Sequence, residues 1–196
     1  MPLVTTLNKI RKHGPCESGW IKLLKHLNKI TADDEPLPFS VIVESNGFED
    51  ALWCCRSTPE YNKEWRLFTV KCARKVQHLM TDPRSIAAID VAERFANGEA
   101  TEEELAIAKI AARDVTHYST EAYFVTYNAA KATTEVAAGI AAYSAANASA
   151  RATGLDAAYG TARATGWDAA YNAAYNAAYN AAREEQKQIF LEIVGS

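Results

Sequence analysis

The composition of this 196-residue chain changes abruptly near residue 120, and the part that follows constrains the fold most strongly. From Ala122 to Ala182 the sequence is dominated by alanine, with scattered tyrosine and asparagine and almost no charge. It closes with the tetrad Ala169-Ala170-Tyr171-Asn172, which recurs twice more as far as Asn180. Alanine has the highest helix propensity but buries little apolar area. This segment is therefore restricted to long helix or disorder, and we predict helix.

The tetrad sets the geometry of an aromatic strip. Four residues advance an α-helix by about 400°, so each tetrad lies about 40° further around the helix than the one before. One straight neighbouring helix cannot cover such a winding path. Three interpretations stay open: a duplication that the helix tolerates, an aromatic recognition strip, and a seam in a homo-oligomer. The candidate partner-binding residues are Trp167, Tyr171, Tyr175 and Tyr179.

The first 121 residues carry the start and stop signals of a helical protein. Asp82-Pro83 is a typical helix start and Asn97-Gly98 a typical helix stop. Thr101 and Glu104 have the spacing of a capping box. The run Val41-Ile42-Val43 favours a strand by propensity, but no second strand is visible to pair with it. We therefore predict a short helix there.

The best-patterned stretch, Glu60 to Met80, predicts one helix with a continuous apolar face. That face is formed by Tyr61, Trp65, Phe68, Cys72, Val76 and Leu79. Together these signals predict an all-α protein, a multi-helix bundle of about eight to ten helices. It would have a long alanine-rich C-terminal helical portion. We expect one domain overall, in which residues 122–196 pack on residues 1–121.

The charge distribution limits the classes of partner. With 21 basic and 24 acidic residues, the chain lacks the basic excess of a general nucleic-acid binder. Residues 1–30 are predominantly basic and residues 31–60 predominantly acidic. This asymmetry predicts either two segments that attract each other or a bipolar docking surface.

The chain also lacks signals for export or for a membrane. Met1 to Ile10 has no apolar core of the length that a signal peptide needs, and the alanine tract is too polar to span a bilayer. None of the four cysteines forms a C-x-x-C pair. Cys54, Cys55 and Cys72 lie in helical patterns, where cysteine behaves as a small apolar residue. We therefore expect reduced thiols, a cytoplasmic protein and no membrane partner.

No pattern in the sequence indicates catalysis. The chain has no dinucleotide-binding, P-loop, nucleophile-elbow or zinc-protease motif. His13 and Cys16 are three residues apart, but Gly14-Pro15 between them spoils a helical metal pair. We expect a protein that is not an enzyme and that has no metal and no cofactor.

Several segments resemble a known family. Asp82-Pro83-Arg84 and Ala96-Asn97-Gly98-Glu99, followed by alanine-rich helices, resemble the alanine-rich immunity proteins of bacterial toxin systems. Three upstream segments are similar to related uncharacterised phage and bacterial proteins: His13–Trp20, Asn46–Arg56 and Gln77–Arg84. The resemblance implies an all-helical, non-catalytic protein that binds another protein, often a toxin. It assigns no binding residue.

We accordingly expect a protein that binds and neutralises a protein partner. The partner would be a toxin, or a host-defence component if the gene belongs to a phage. One alternative is sequestration of a small molecule or nucleotide by stacking on tyrosine and tryptophan rings. Another is a structural homo-oligomer built through the alanine-rich helices.

The thiol count tests the expected reducing compartment. We predict that the purified protein, denatured without reductant, titrates with all four of its cysteines as free thiols. A count of two would reveal a disulfide and would contradict the predicted compartment.

Overall fold

The computed structural model describes residues 1–80, 82–113, 150 and 167–195. Over these residues the protein is an all-α multi-helix fold with one minor two-stranded ladder. The helices are α1 (Leu7–Arg11), α2 (Glu17–His26), α3 (Phe39–Asn46), α4 (Phe48–Cys54), α5 (Asn62–Lys75), α6 (Pro83–Ala96), α7 (Glu102–Arg113) and a C-terminal helix (Trp167–Gly195).

The helix signals read from the sequence are confirmed at several ends. The Asp82 carboxylate accepts a hydrogen bond of 2.8 Å from the Arg84 backbone N–H, and Pro83 opens α6. Both hydrogen bonds of the predicted capping box form. The Glu104 N–H donates to the Thr101 hydroxyl, and the Thr101 N–H donates to the Glu104 carboxylate. These contacts satisfy backbone groups that the first helical turn leaves without partners.

The predicted helix at Val41–Val43 is also confirmed, within α3. This helix ends at Asn46 and is followed by Gly47, which has a φ of 102°. Glycine adopts such a positive φ without the steric penalty of a side chain. The sharp turn lets α4 begin at the next residue and pack against α3.

The described residues include one short strand pair that the sequence did not indicate. Strand β1 (Val4–Thr5) pairs antiparallel with β2 (Leu37–Pro38), with Val4 opposite Pro38 and Thr5 opposite Leu37. Two residues are too few to show the alternating pattern of a strand, so their pairing depends on tertiary contacts. One such contact is the bond of 2.8 Å from the Leu3 N–H to the Val194 carbonyl, which ties β1 to the C-terminal helix.

The single helix predicted for Glu60–Met80 was wrong in extent. Helix α5 ends at Lys75, and two short 3₁₀ turns flank it at Pro59–Tyr61 and Gln77–Leu79. The backbone of Val76 no longer has helical angles: its φ is −109° and its ψ is 8°. Four side chains of the predicted face are nevertheless buried: Trp65, Phe68, Cys72 and Val76.

The basic and acidic segments near the N-terminus attract each other, as one of the two interpretations predicts. Lys9 forms an ion pair with Glu60. Within the loop before β2, the Lys29 ammonium lies 2.5 Å from an Asp33 oxygen and 2.6 Å from a Glu35 oxygen. The carboxylates raise the pKa of Lys29, and the ammonium lowers the pKa of Asp33.

The core joins the C-terminal helix to the N-terminal helices. This helix packs on α3 and α5, and it contributes the fully buried Phe190 and Val194 to the main apolar cluster. The predicted boundary at residues 121 and 122 lies outside the described residues, but this packing places the helix in the same core as residues 1–113. No helix among the residues described has the length and apolarity needed to cross a membrane.

We predict that Phe190→Ala lowers the free energy of unfolding by about 3–5 kcal/mol, because the substitution empties the centre of this core. Urea unfolding measures the effect. The exposed Glu192 on the same helix supplies the control. Glu192→Ala should change the free energy by no more than about 0.5 kcal/mol. An unchanged midpoint for Phe190→Ala would show that the ring is not core.

Candidate functional site

The structure describes part of the predicted aromatic strip. Tyr175 and Tyr179 are half-buried on the C-terminal helix, and their ring centroids stack 6.3 Å apart at an interplanar angle of 10°. The side chains of Trp167 and Tyr171 lie outside the described residues. Among the described side chains from residue 172 to residue 181, the exposed ones are those of asparagine and alanine: Asn172, Ala173, Asn176, Ala177, Asn180 and Ala181.

A second candidate site, not predicted from the sequence, is a cleft between α2 and the α3–α4 pair. We call it the α2–α4 cleft, and it has a volume of about 480 Å³. Ile10 of α1, which is 1% exposed, lies at its base. One wall is formed by the N-terminal part of α2 and the turn before it, with Gly14, Pro15, Cys16, Gly19, Trp20 and Leu23.

The opposite wall of the α2–α4 cleft is formed by one face of α3 and the exposed side of α4. It brings two carboxylates to a surface that is otherwise mostly apolar. The residues of this wall are Ile42, Asn46, Glu49, Asp50, Trp53 and Cys54. Concave apolar sites with a few polar groups are typical of binding sites.

Asn46 holds the two walls together. Its Nδ2 donates a hydrogen bond of 2.9 Å to the Gly19 carbonyl of α2 and another of 2.8 Å to the Asp50 carboxylate of α4. Its Oδ1 accepts a bond of 2.8 Å from the Ser45 hydroxyl. The amide is thereby fixed from both ends, and it orients Asp50 at the cleft.

Gly19 allows α2 to lie close to Asn46 and Asp50. A Cβ atom at residue 19 would lie 3.0 Å from an Asp50 carboxylate oxygen and 3.1 Å from the Cys16 sulfur. Both distances are shorter than ordinary van der Waals contacts. A glycine inside a helix lowers helix stability by about 1 kcal/mol relative to alanine. Here it leaves space for Asp50 and Cys16 to line the same cleft.

Glu49 connects the α2–α4 cleft to the C-terminal helix. Its carboxylate forms an ion pair with Arg183, whose side chain is only 10% exposed. The Arg183 guanidinium also donates a bond of 2.7 Å to Gln186 and lies 4.8 Å from the centroid of the Phe48 ring. The first turn of α4 is thus held by two contacts, because Glu49 pairs with the buried Arg183 and Asp50 accepts a hydrogen bond from Asn46.

The two tryptophans of the cleft are both half-buried. Trp53 already holds one cation, because the Arg56 guanidinium lies 4.3 Å from the centroid of its ring. The Arg56 Nε also donates a bond of 2.8 Å to the Trp53 carbonyl, which fixes this stacked geometry. Such cation–π contacts are favoured by the negative face of the indole ring.

The four cysteines are free and fall into two groups. Cys16 is exposed at the cleft, whereas Cys54, Cys55 and Cys72 are buried. Burial raises the pKa of Cys54 and of Cys72 to about 12, and it raises the pKa of Cys55 well above its usual range. The negative charge of Asp50 also raises the pKa of Cys54. These three thiols stay protonated at neutral pH and act as packing residues.

Nothing in the described part of the chain groups three or more His, Cys, Asp or Glu side chains in the way that a metal site requires. The α2–α4 cleft instead offers apolar walls and carboxylate acceptors. This arrangement can bind an apolar group and hydrogen-bond to its polar end.

Comparison of the chain with protein-family models, with curated protein sequences and with solved structures gives no match.

Sequence reasoning missed the residues that build the α2–α4 cleft. Asn46 stands before Gly47 in a pair typical of a helix stop, and nothing in that pattern indicates that its side chain also bridges to Gly19. The segments His13–Trp20 and Asn46–Arg56, singled out by resemblance, supply most of the two walls.

We predict that fluorescein maleimide modifies Cys16 alone in the native protein, because the other three thiols are buried and protonated. Intact-mass measurement should show one adduct before denaturation and four after it. Cys16→Ser should show none before denaturation. A second adduct on the native protein would contradict the burial described here.

Proposed function

We propose that this protein acts without catalysis, by binding and neutralising a partner protein through the α2–α4 cleft. The partner is a bacterial toxin, as the resemblance implies, or a host-defence component if the gene belongs to a phage. The cytoplasm is the proposed compartment, since four free cysteines suit a reducing environment.

One observation carries this proposal: the α2–α4 cleft combines two half-buried tryptophans with apolar walls, and hydrogen bonds and an ion pair hold its helices in place. Half-buried aromatic residues next to a pocket are typical anchors of protein interfaces. The Asn46 bridge and the Glu49–Arg183 ion pair fix the frame before any partner arrives. A pre-organised surface loses less entropy on binding.

A second candidate function is the sequestration of a small molecule. Its support is the volume of about 480 Å³, which lies within the range of small-molecule sites. Mass spectrometry of natively purified protein distinguishes this function from the first. A co-purified small molecule that is lost when Cys16 carries fluorescein maleimide would favour sequestration over partner binding.

We predict that the native protein, immobilised and exposed to a lysate of cells that carry the gene, retains its partner through the α2–α4 cleft. The fluorescein adduct at Cys16, which we call the blocked protein, should lose that partner because a bulky group stands at the cleft. The matched control is Cys16→Ser treated with the same reagent, and it should retain the partner. Mass spectrometry identifies what each form retains.

Tyr175→Ser/Tyr179→Ser tests the aromatic strip in the same experiment. With its circular dichroism unchanged, this variant should retain the partner as the native protein does. If the tyrosine variant lost the partner and the blocked protein retained it, the result would place the contact site on the C-terminal helix. Equal retention by native and blocked protein would contradict the proposed site.

A further inference from the structure

We propose that the α2–α4 cleft recognises an arginine side chain, next to an apolar residue, on the surface of the partner protein. This inference rests on the proposed function and adds the chemistry of the group that is bound. Among the described residues that line the cleft, two are carboxylates, Glu49 and Asp50, and none is lysine, arginine or histidine. Because Glu49 is paired with Arg183, the charge at the cleft that lacks an ion pair among the described residues is that of Asp50, and such a charge selects a positively charged occupant.

The two carboxylates differ in their freedom to bind. Glu49 is committed to the buried Arg183, and withdrawing it would leave that guanidinium without its ion pair. Asp50 is half-buried and accepts a hydrogen bond from Asn46. It forms no ion pair with any residue that the structure describes, so Asp50 is the acceptor for an incoming cation.

The rest of the cleft lining is mostly apolar, so we expect the bound arginine to have an apolar residue next to it in the partner. Trp20 and Trp53 are half-buried and leave apolar ring surface accessible on opposite walls of the cleft. A volume of about 480 Å³ is of the size that holds a whole small ligand, so one side chain leaves room for the next. A charged residue flanked by leucine-like residues fills this space and covers the apolar walls.

Arginine fits better than lysine for two reasons. Its planar fork matches a carboxylate, and its flat face stacks on an indole ring. The molecule itself demonstrates the second contact, because Arg56 stacks on Trp53 at 4.3 Å. Trp20, on the opposite wall, is a further half-buried ring available to a guanidinium from the partner.

Two synthetic peptides test the inference on the full-length protein by isothermal titration calorimetry. The first is acetyl-Gly-Leu-Arg-Leu-Gly-amide, and the second has citrulline, a neutral isostere, in place of arginine. We expect the arginine peptide to bind at least about tenfold more tightly, the difference that one charge-assisted hydrogen bond supplies. Raising the salt concentration should reduce this preference.

Asp50→Asn removes the charge and keeps an oxygen acceptor for Asn46. This variant should bind the two peptides alike. Glu44→Gln is the matched control, since Glu44 is an exposed acid of α3 that does not line the cleft, and it should keep the preference for arginine. The blocked protein should bind neither peptide.

Several outcomes would overturn the inference. They are absence of binding by the arginine peptide, equal affinities of the two peptides for the native protein, and a preference that survives Asp50→Asn. Binding of n-butylguanidinium as tightly as the arginine peptide would identify a small cation, not a protein side chain, as the occupant. Equal peptide affinities leave the proposed function standing if the blocked protein still loses its partner, so the two failures are distinguishable.

Discussion

The fully buried ring of Phe190 packs against four aromatic rings, and these contacts connect the C-terminal helix to the rest of the molecule. It stacks on Trp65 at 5.9 Å and meets the other three rings, Phe39, Phe48 and Phe68, edge to face. Phe48 is the first residue of α4, so this cluster positions the helix that carries Asp50 and Trp53. Arg183 of the same C-terminal helix covers the Phe48 ring and pairs with Glu49. The cleft therefore depends on a helix from the far end of the chain.

Much of the helical architecture could be predicted because its determinants are local. The Thr101–Glu104 capping box and the Asp82 cap each involve residues within one turn, and the structure closes both. The β1–β2 ladder could not be predicted, because its strands are two residues long and their register follows from tertiary packing. The end of α5 was missed for a related reason. The apolar period continues past Val76 to Leu79, although the backbone leaves the helix at Val76.

The site was harder to predict than the fold. The tetrad repeats drew attention to the tyrosines, of which the structure describes Tyr175 and Tyr179 as a half-buried, stacked pair. The cleft depends on a pair that no periodicity reveals: a glycine in α2 and an asparagine at the end of α3. In the sequence, Gly19 is simply a residue within a helix and Asn46 is simply part of a helix stop. Only the folded chain shows that both serve one close contact between helices.

The indole N–H resonances of the four tryptophans provide the most direct test of the account. In a ¹⁵N-labelled sample titrated with the retained partner protein, we expect the signals of Trp20 and Trp53 to shift, because both residues line the α2–α4 cleft. The signal of Trp65, which is buried in the core, should stay in place. A shift of the Trp167 signal with Trp20 and Trp53 unchanged would contradict the account and would place recognition on the aromatic strip.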